Sequence, residues 1–407
     1  MSAAAAVVAT DMEKVFPKKK TAENVRLGAM AFSNSILAAA LTLPTAQIAH
    51  ADLAPERGSI SYKNLDYHDS QPGQDRIGVK ADSVMVVVPI AGIWSVEGGL
   101  ASDTVSGASP SYYSQKLAPM HDKRTGREIR LTRYFSRGSL TVGGAFSSES
   151  DYFSHVYSVV GSISTEDKNT TFNLGLGSSN DMINAPKAVY APVINQPKKS
   201  TDVMLGITQV LSMRDIAQLN ISYSDGNGYY SDPYKQFDNR PDHKSQTAIL
   251  TRWNHHFPQS DGTGRFSYRY YEDSFGVKAH TLGTEYVQPL PYGWTVTPEI
   301  RLYSQTAASF YVDPASPTGA TFPVGYSPFS SPSFPATTII SEDQRLSAFG
   351  AITYGIKILN QLDQDWLLDL KLEHYEQQSK WNFQGQGSPG LDTLRARILQ
   401  LGITRYF

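Results

Sequence analysis

The stretch that decides the fold is LQLGITRYF, from Leu399 to Phe407. Apolar side chains take its odd positions except at Arg405, and glutamine, glycine and threonine stand at positions 400, 402 and 404. This period of two is typical of a β-strand with one apolar and one polar face. Because the ends of soluble domains are usually polar and poorly ordered, such a strand predicts a sheet that closes on itself.

Composition narrows the class of protein. Only 18% of the 407 residues are charged, 11% are aromatic, and there are 31 glycines and 23 prolines. The mean hydropathy of −0.32 is too polar for a bundle of membrane helices, and the mixture favours many strands and turns. A net charge of −2 gives no basic field for nucleic acid, and the lack of cysteine excludes disulfides, thiolate metal sites and thiol nucleophiles.

Residues 1–51 have the pattern of a secretory signal peptide. Basic residues at Lys18 to Lys20 and at Arg26 precede a mostly apolar run from Leu27 to Leu43, and Ala49-His50-Ala51 offers a cleavage site. The alternative is a membrane anchor that is not cleaved. We expect export with cleavage, which leaves residues 52–407 as one β-barrel domain.

Connection lengths indicate the kind of barrel. Sixteen segments between residues 58 and 407 alternate or carry turn signals at both ends, and each has roughly the nine residues that a membrane strand needs. Most even-numbered connections are tight turns, whereas five odd-numbered ones are long, beginning with HDSQPGQD (68–75). Short periplasmic turns and long external loops predict an all-β, antiparallel, up-and-down barrel of the bacterial outer membrane. Pro298 lies inside one segment, where we expect a bulge.

Aromatic residues test this orientation, because amphipathic rings settle at the depth of the lipid headgroups. We predict interface anchors at the periplasmic rim at Trp94, Trp253, Trp294, Trp366 and Phe407, and at the opposite ends of the strands at Tyr67, Tyr223, Tyr303 and Tyr375. The alternative is that aromatic residues simply favour strands. The terminal pattern also resembles the signal read by the bacterial barrel-assembly machinery, although Arg405 departs from it. The expected partners are therefore outer-membrane lipid and that machinery, which would act through the C-terminal strand.

Several stretches together resemble the bacterial family catalogued as domain of unknown function 3570. They are DTVSGASP (103–110), YYSDPYKQFDNRP (229–241), RWNHHF (252–257), YRYYEDSFG (268–276), DQRLSAFGA (343–351) and LKLEHYEQ (370–377). The resemblance covers nearly all of the mature chain and implies an outer-membrane barrel with no established activity. It also implies periplasmic or lipoprotein partners in a redox-linked envelope module.

Charges of both signs fall on the expected inward parity of the strands. These lumen candidates are Glu97, Glu128, Arg130, Arg252, Arg265, Arg269, Glu299, Arg301, Asp369, Lys371 and Glu373. They would either line a conducting passage and select small solutes, or form ion pairs that plug a narrow lumen. The sequence alone leaves these two interpretations open.

Two site hypotheses concern the predicted outer loops. His68, His121 and His243 each adjoin an aspartate, so these pairs could bind a transition metal if three loops met. Ser106 and Ser109 could act as nucleophiles with His121 as base, which would make the protein an outer-membrane lipid hydrolase. Turn residues and exposed histidines explain both patterns equally well. We therefore predict neither an enzyme nor a resident metal or cofactor.

The function predicted from the sequence is a small-solute passage through the outer membrane. The alternative is a non-conducting scaffold that binds periplasmic or envelope partners. The long segment 307–341 would either fold into the barrel or present an external surface.

Overall fold

The computed structural model describes residues 53–108, 119–188, 191–235, 238–313 and 338–407, without the side chains of residues 74, 107–108 and 119–121. The predicted signal peptide, 1–51, lies outside these ranges. Across the described ranges, sixteen strands form one closed barrel in which every neighbouring pair is antiparallel. This confirms the predicted fold class. The helical turns of the described chain include none with the length and apolar character of a membrane span.

The strands follow one another around the barrel in chain order. The first eight are β1 (Ser59–Gln71), β2 (Gln74–Ile90), β3 (Trp94–Ala108), β4 (Pro119–Phe135), β5 (Gly138–Ser148), β6 (Tyr152–Ser164), β7 (Thr170–Ala185) and β8 (Val193–Val210). The others are β9 (Asp215–Gly228), β11 (His243–Phe257), β12 (Gly262–Asp273), β13 (Lys278–Pro289), β14 (Trp294–Gln305), β16 (Phe349–Gln361), β17 (Trp366–Gln378) and β18 (Leu394–Tyr406). Outside the barrel, β10 (Asp238–Asn239) pairs with β15 (Ile340–Ser341).

The terminal strand closes the barrel, as its sequence pattern predicts. β18 pairs with β1 from Ser59↔Tyr406 onward, and the backbones of Gly58 and Phe407 exchange two hydrogen bonds of 2.9 Å. The ring of Phe407 lies where a side chain at residue 58 would stand, because a Cβ there would come within 2.4 Å of the ring. Pairing therefore continues to the last residue, and neither strand keeps a free edge.

The two rims of the barrel carry connections of different length. On the rim of Phe407 every turn has five residues or fewer, with 165–169 the longest. The opposite rim carries the long connections 229–242, 306–348 and 379–393. These are the short and long ends expected of an outer-membrane barrel.

Several connections are shorter than the sequence predicts, among them the one between β3 and β4, which spans only residues 109–118. HDSQPGQD is not a loop, because β1 and β2 continue through it and leave a turn of only residues 72–73. In the same way β7 and β8 extend toward each other and leave 186–192. Beyond the membrane, polar residues can continue the pairing of two strands, and alternating hydropathy no longer identifies them. The sequence therefore predicts strands that end too early.

Side chains alternate between lipid and lumen along each strand. On β18 the outward Leu399, Leu401 and Ile403 are exposed, whereas the inward Gln400 and Thr404 are buried. Other outward apolar residues extend the belt, among them Ile129, Val142, Leu174, Leu205, Leu282 and Leu372. This is the apolar outer band that a membrane-spanning barrel presents to lipid.

Pro298 does not produce the predicted bulge. It pairs in regular register with Ile356 of β16, and on its other side the ladder to β13 lacks the pairs between Glu285↔Glu299 and Gln288↔Val296. The register is the same before and after this gap. The missing donor of proline is therefore accommodated by local loss of pairing without an inserted residue.

Part of the barrel interior is an apolar core. Leu65 of β1, Phe349 of β16, Tyr375 of β17 and Ile398 of β18 point inward and pack together near the long-loop rim. Leu391, from the connection between β17 and β18, joins them. At the long-loop end, one side of the lumen is therefore filled by side chains.

Candidate functional site: the lumen and its outer mouth

All eleven charged residues predicted for the lumen lie on the inward face of their strands. The strand registers and the alternation of burial place them there: Glu97, Glu128, Arg130, Arg252, Arg265, Arg269, Glu299, Arg301, Asp369, Lys371 and Glu373. They fall into separate groups on different strands. The groups differ in how far their charges are neutralised.

The group on β3 and β4 is a compact ion-pair cluster. Arg130 Nη1 lies 3.4 Å from Glu97 Oε2, and its Nη2 donates to Glu128 Oε1 at 2.9 Å. Gly99 faces the same cluster, and a Cβ there would stand 2.7 Å from Glu128 Cγ. The glycine thus makes room for the carboxylate to fold against the wall.

The second group links β14 to β17 across the intervening strand β16. Lys371 Nζ lies 2.9 Å from Glu299 Oε1 and 3.3 Å from Glu373 Oε1, and Arg301 Nη2 lies 3.6 Å from the latter oxygen. Gly355 is the β16 residue between them. The ion pairs hold these side chains against the barrel wall. This arrangement is compatible with a plugged lumen and with an open passage.

The third group reaches water. Arg265 Nη1 of β12 lies 3.5 Å from Glu285 Oε2 of β13, and their side chains are 37% and 42% exposed although both point inward. Arg252 shares this side of the lumen, and the Arg269 guanidinium lies 5.1 Å from the centre of the Tyr271 ring. Both residues lie within four positions of the short-turn end of their strands, so the lumen is open to solvent at that end. Glu285 is absent from the sequence-based candidates, since only its partner across the ladder identifies it.

Connections at the long-loop rim meet over the mouth. We call the residues Asp232, Lys235, Asp238, Arg240, Asp343 and Arg345 the mouth network; they join the connection after β9 to the one before β16. Arg345 donates to Asp343 Oδ2 at 2.7 Å and to Asp232 Oδ2 at 2.8 Å. Arg240 donates to Asp238 Oδ1 and to Asp343 Oδ2, both at 2.7 Å. β11 to β14 lie between these connections in the barrel, so the network links parts of the rim that are four strands apart.

Asp343 is the centre of the mouth network and is fully buried. Burial alone would raise the pKa of this carboxyl, but Arg345, Lys235 and Arg240 outweigh it and hold the pKa well below its usual range. Lys235 Nζ adds a third contact at 3.3 Å from Asp343 Oδ1. Three cations on one buried carboxylate make this a rigid junction.

Further contacts extend the closure to neighbouring connections. Tyr234 donates its hydroxyl to Asp151 Oδ2, in the turn after β5. On the other side, Asp313 Oδ2 accepts a hydrogen bond from the Gly390 amide at 3.0 Å, and the Ala348 amide donates to Ser388 Oγ. Of the segment 307–341, the described residues 307–313 and 338–341 belong to this closure, and 314–337 lie outside the described ranges.

Comparison with known protein families identifies the family of this chain. The family described as "Protein of unknown function (DUF3570)" matches residues 112–395. The chain belongs to the DUF3570 family. No curated protein sequence matches it. Two of the stretches that carry the resemblance, 229–241 and 343–351, supply the mouth network of this DUF3570 barrel.

Several solved structures share the fold of the DUF3570 barrel. A bacterial polysaccharide outer membrane secretin is 8% identical, with 86% of this chain and 98% of that chain covered and a TM-score of 0.50. The siderophore receptor PirA from Pseudomonas aeruginosa is 8% identical, with 87% and 81% covered and a TM-score of 0.43. OccK1 (OpdK) from the same organism is 7% identical, with 88% and 99% covered and a TM-score of 0.43. At these identities the likeness shows the fold alone.

The aromatic residues predicted as interface anchors fall into two groups, because some point outward and others point into the barrel. Trp94, Trp253, Trp294 and Trp366 point outward near the short-turn rim, as does Tyr223 toward the other end. Tyr67, Tyr303 and Tyr375 do not reach lipid. They point inward and pack in or against the apolar core of the DUF3570 barrel. The prediction placed them by height along the strand, whereas the face on which a strand residue lies depends on parity.

The histidines considered as candidate metal ligands are not brought together where their side chains are described. His68 Nε2 lies 2.7 Å from Asp66 on the outer face of β1, and His243 Nε2 lies 2.9 Å from Asp225 at the start of β11. Those two strands are far apart in the DUF3570 barrel. The side chain of His121 lies outside the described set.

The serine hypothesis concerns β3. Ser106 Oγ donates to the Gly78 carbonyl at 3.4 Å, and the Ser106 backbone is in register with His121. Among the described side chains no histidine hydrogen-bonds to Ser106, and Ser109 lies outside the described ranges. A nucleophile requires a base within hydrogen-bond reach, so lipid hydrolysis stays an untested alternative drawn from the sequence.

Proposed function

We propose that this barrel is a passage for small hydrophilic solutes in the bacterial outer membrane. The observation that carries the proposal is the exposure of the inward pair Arg265 and Glu285, which opens the lumen to solvent at its short-turn end. Barrels of sixteen strands are wide enough to leave an aqueous channel. Charges of both signs on the lumen wall would then act on the solutes that pass.

The outer mouth of this passage is gated in our proposal. Connections from distant parts of the barrel meet at the mouth network, whose central carboxylate is fully buried. Removing one partner of a buried ion pair costs about 3–5 kcal/mol, because the other charge is left uncompensated. A closed mouth that depends on Arg345 and Arg240 would therefore open when either is removed.

Single-channel conductance in a planar bilayer tests the passage and the gate together. We expect rare, brief openings from the natural protein and steady conductance from Arg345→Ala. Arg137→Ala is the matched control, since Arg137 also pairs with a carboxylate but at the short-turn rim, where Glu166 is 88% exposed. The altered mobility of folded barrels in unheated gels shows that each variant has folded.

Each result has a distinct meaning. If the natural protein already conducts steadily and Arg345→Ala conducts equally, the gate is contradicted and the passage is supported. If neither the natural protein nor Arg345→Ala conducts, the passage is contradicted.

The second candidate is a non-conducting scaffold that binds periplasmic or envelope partners. The apolar core around Tyr375 and Phe349 favours it, since that core fills one side of the lumen. A scaffold would remain silent after the mouth network is broken. The same bilayer experiment thus separates the two candidates.

A further inference from the structure

Three buried carboxylates meet at the outer end of the barrel, away from the mouth network. Asp122 belongs to β4, and Glu149 and Asp151 belong to the turn between β5 and β6. One carboxylate oxygen from each residue lies within 4.8 Å of the others. All three residues are more than nine-tenths buried.

Each carboxylate keeps one oxygen without a hydrogen-bond partner. Asp122 Oδ1 accepts the Lys123 amide at 2.8 Å, and Asp151 Oδ2 accepts the Tyr234 hydroxyl at 2.5 Å. Asp122 Oδ2, Glu149 Oε2 and Asp151 Oδ1, in contrast, are buried and accept no hydrogen bond from the described residues. Buried polar atoms are normally satisfied, so three such oxygens in one cluster point to a missing donor or cation.

The local charge indicates a cation. The neighbouring guanidinium of Arg124 already donates to Asp103 Oδ2 at 2.7 Å. Arg124 also acts on Glu149, so this one guanidinium faces the four carboxylates of Asp103, Asp122, Glu149 and Asp151. Buried charges of one sign are stable when they are paired or coordinate a metal.

We propose that Asp122, Glu149 and Asp151 form a Ca²⁺ site. Ca²⁺ takes about six to eight oxygen ligands, including carboxylate and carbonyl oxygens, at about 2.3–2.6 Å in a flexible geometry, which suits carboxylates drawn from a strand and a turn. Mg²⁺ binds at about 2.0–2.1 Å and requires a tighter octahedron. The site faces the external side of the proposed passage, where sites of this kind bind Ca²⁺ with dissociation constants of about 10⁻⁴–10⁻³ M.

Bound Ca²⁺ would connect three parts of the barrel. It would join β4 to the turn after β5, and the hydroxyl of Tyr234 carries that link to the connection after β9. This inference goes beyond the proposed passage, because ion binding is measured without any conduction.

Calorimetry on the full chain, folded in detergent and stripped with a chelator, tests the site. We expect one Ca²⁺ per chain and a loss of affinity of about tenfold or more in Glu149→Gln, because the count of charged ligands sets the affinity. Asp122→Asn and Asp151→Asn should behave alike. Glu166→Gln, which changes an exposed glutamate of the short-turn rim, should bind as the natural protein does.

Terbium luminescence gives a second readout that reports position. Tb³⁺ replaces Ca²⁺ at oxygen sites and emits when a nearby tyrosine is excited, and Tyr234 touches Asp151. We expect tyrosine-sensitised emission that Ca²⁺ displaces and that Glu149→Gln removes. Folded natural protein that binds no Ca²⁺, or a triple variant of the three carboxylates that binds it unchanged, would overturn the proposal and leave a protonated cluster.

Discussion

The hydroxyl of Tyr234 donates to Asp151 Oδ2 across the outer end of four strands, β6 to β9. Both side chains are buried, and Tyr234 packs with Tyr152 and Ile183 in a small apolar cluster. Burial and the bond to Asp151 both raise the pKa of Tyr234, so the tyrosine remains a donor at any ordinary pH. This one contact ties the turn after β5 to the connections that close the mouth.

Tyr234→Phe should loosen that tie without disturbing the apolar cluster. An acceptor that loses its partner in a buried site costs about 1–3 kcal/mol. We expect faster hydrogen exchange in residues 149–151 and 229–235, read by mass spectrometry. Tyr223→Phe is the control, since the Tyr223 hydroxyl bonds Asp225 at 3.3 Å on the exposed outer face. Equal exchange rates in the natural protein and in Tyr234→Phe would show that this hydrogen bond does not stabilise the two connections.

The mouth network should resist mild acid. The pKa of Asp343 is lower in the folded protein than its unfolded value of about 3.9, so its contribution is complete above that value and disappears only as pH falls through the folded pKa. Exchange protection of residues 238–242 and 338–348, corrected for the intrinsic effect of pH, should stay constant from neutral pH to about pH 4. It should then fall in stronger acid.

Asp343→Asn provides the comparison for that pH experiment. The variant should show weaker protection at neutral pH and no further loss in acid, because the titrating carboxyl is gone. Glu166→Gln should follow the natural protein. Protection that declines already between pH 7 and pH 5 would contradict the assigned role of Asp343.

Ion selectivity should depend on the exposed lumen pair. In a potassium chloride gradient, Arg265→Glu should shift the reversal potential toward cation preference, and Glu285→Lys should shift it the opposite way, because both side chains face lumen water. The measurement uses the open Arg345→Ala background. Arg137→Glu, outside the lumen, should shift it little. Shifts of the same sign from both lumen variants would refute an electrostatic effect of this pair.

Gly355→Ala should destabilise the barrel. A Cβ at this position would lie 2.7 Å from the Leu372 carbonyl oxygen and 2.9 Å from Glu373 Cγ. Overpacking of this kind costs typically about 1–3 kcal/mol. Urea unfolding in lipid vesicles measures the change. Gly98→Ala is the control, since a Cβ there meets no atom within 4 Å; equal free energies of unfolding for the two variants would contradict the packing argument.

The fold was predictable because a membrane barrel repeats two simple signals. Alternation on each strand and the order of connection lengths are both local, so the sixteen segments, the closing strand and the inward parity of residues such as Lys371 could be read directly. The ends of the strands were less predictable. β1 and β2 continue through polar residues such as Asp69 and Asp75 and leave only Pro72 and Gly73 as the turn.

The site was less predictable because its contacts are not local. Arg345 and Asp232 are 113 residues apart in the chain, and nothing in either stretch indicates the other. Glu285 gives no signal until β12 supplies its partner. Tyr67 and Tyr375 have the composition of interface anchors, and only their parity, combined with the register of β18, places them inside. Motif stretches such as 229–241 indicated that these segments mattered without indicating what they bind.

The pairing of β1 with β18 also affects how the barrel folds. Ser61 and Thr404 share a hydrogen bond of 2.8 Å although 343 residues separate them. Joining chain ends so distant requires a large loss of loop entropy before any contact compensates for it, and non-local pairing slows folding. Until that step, both β1 and β18 offer unpaired edges that can bind another chain. The pairing that costs the most loop entropy is therefore also the one that removes both unpaired edges.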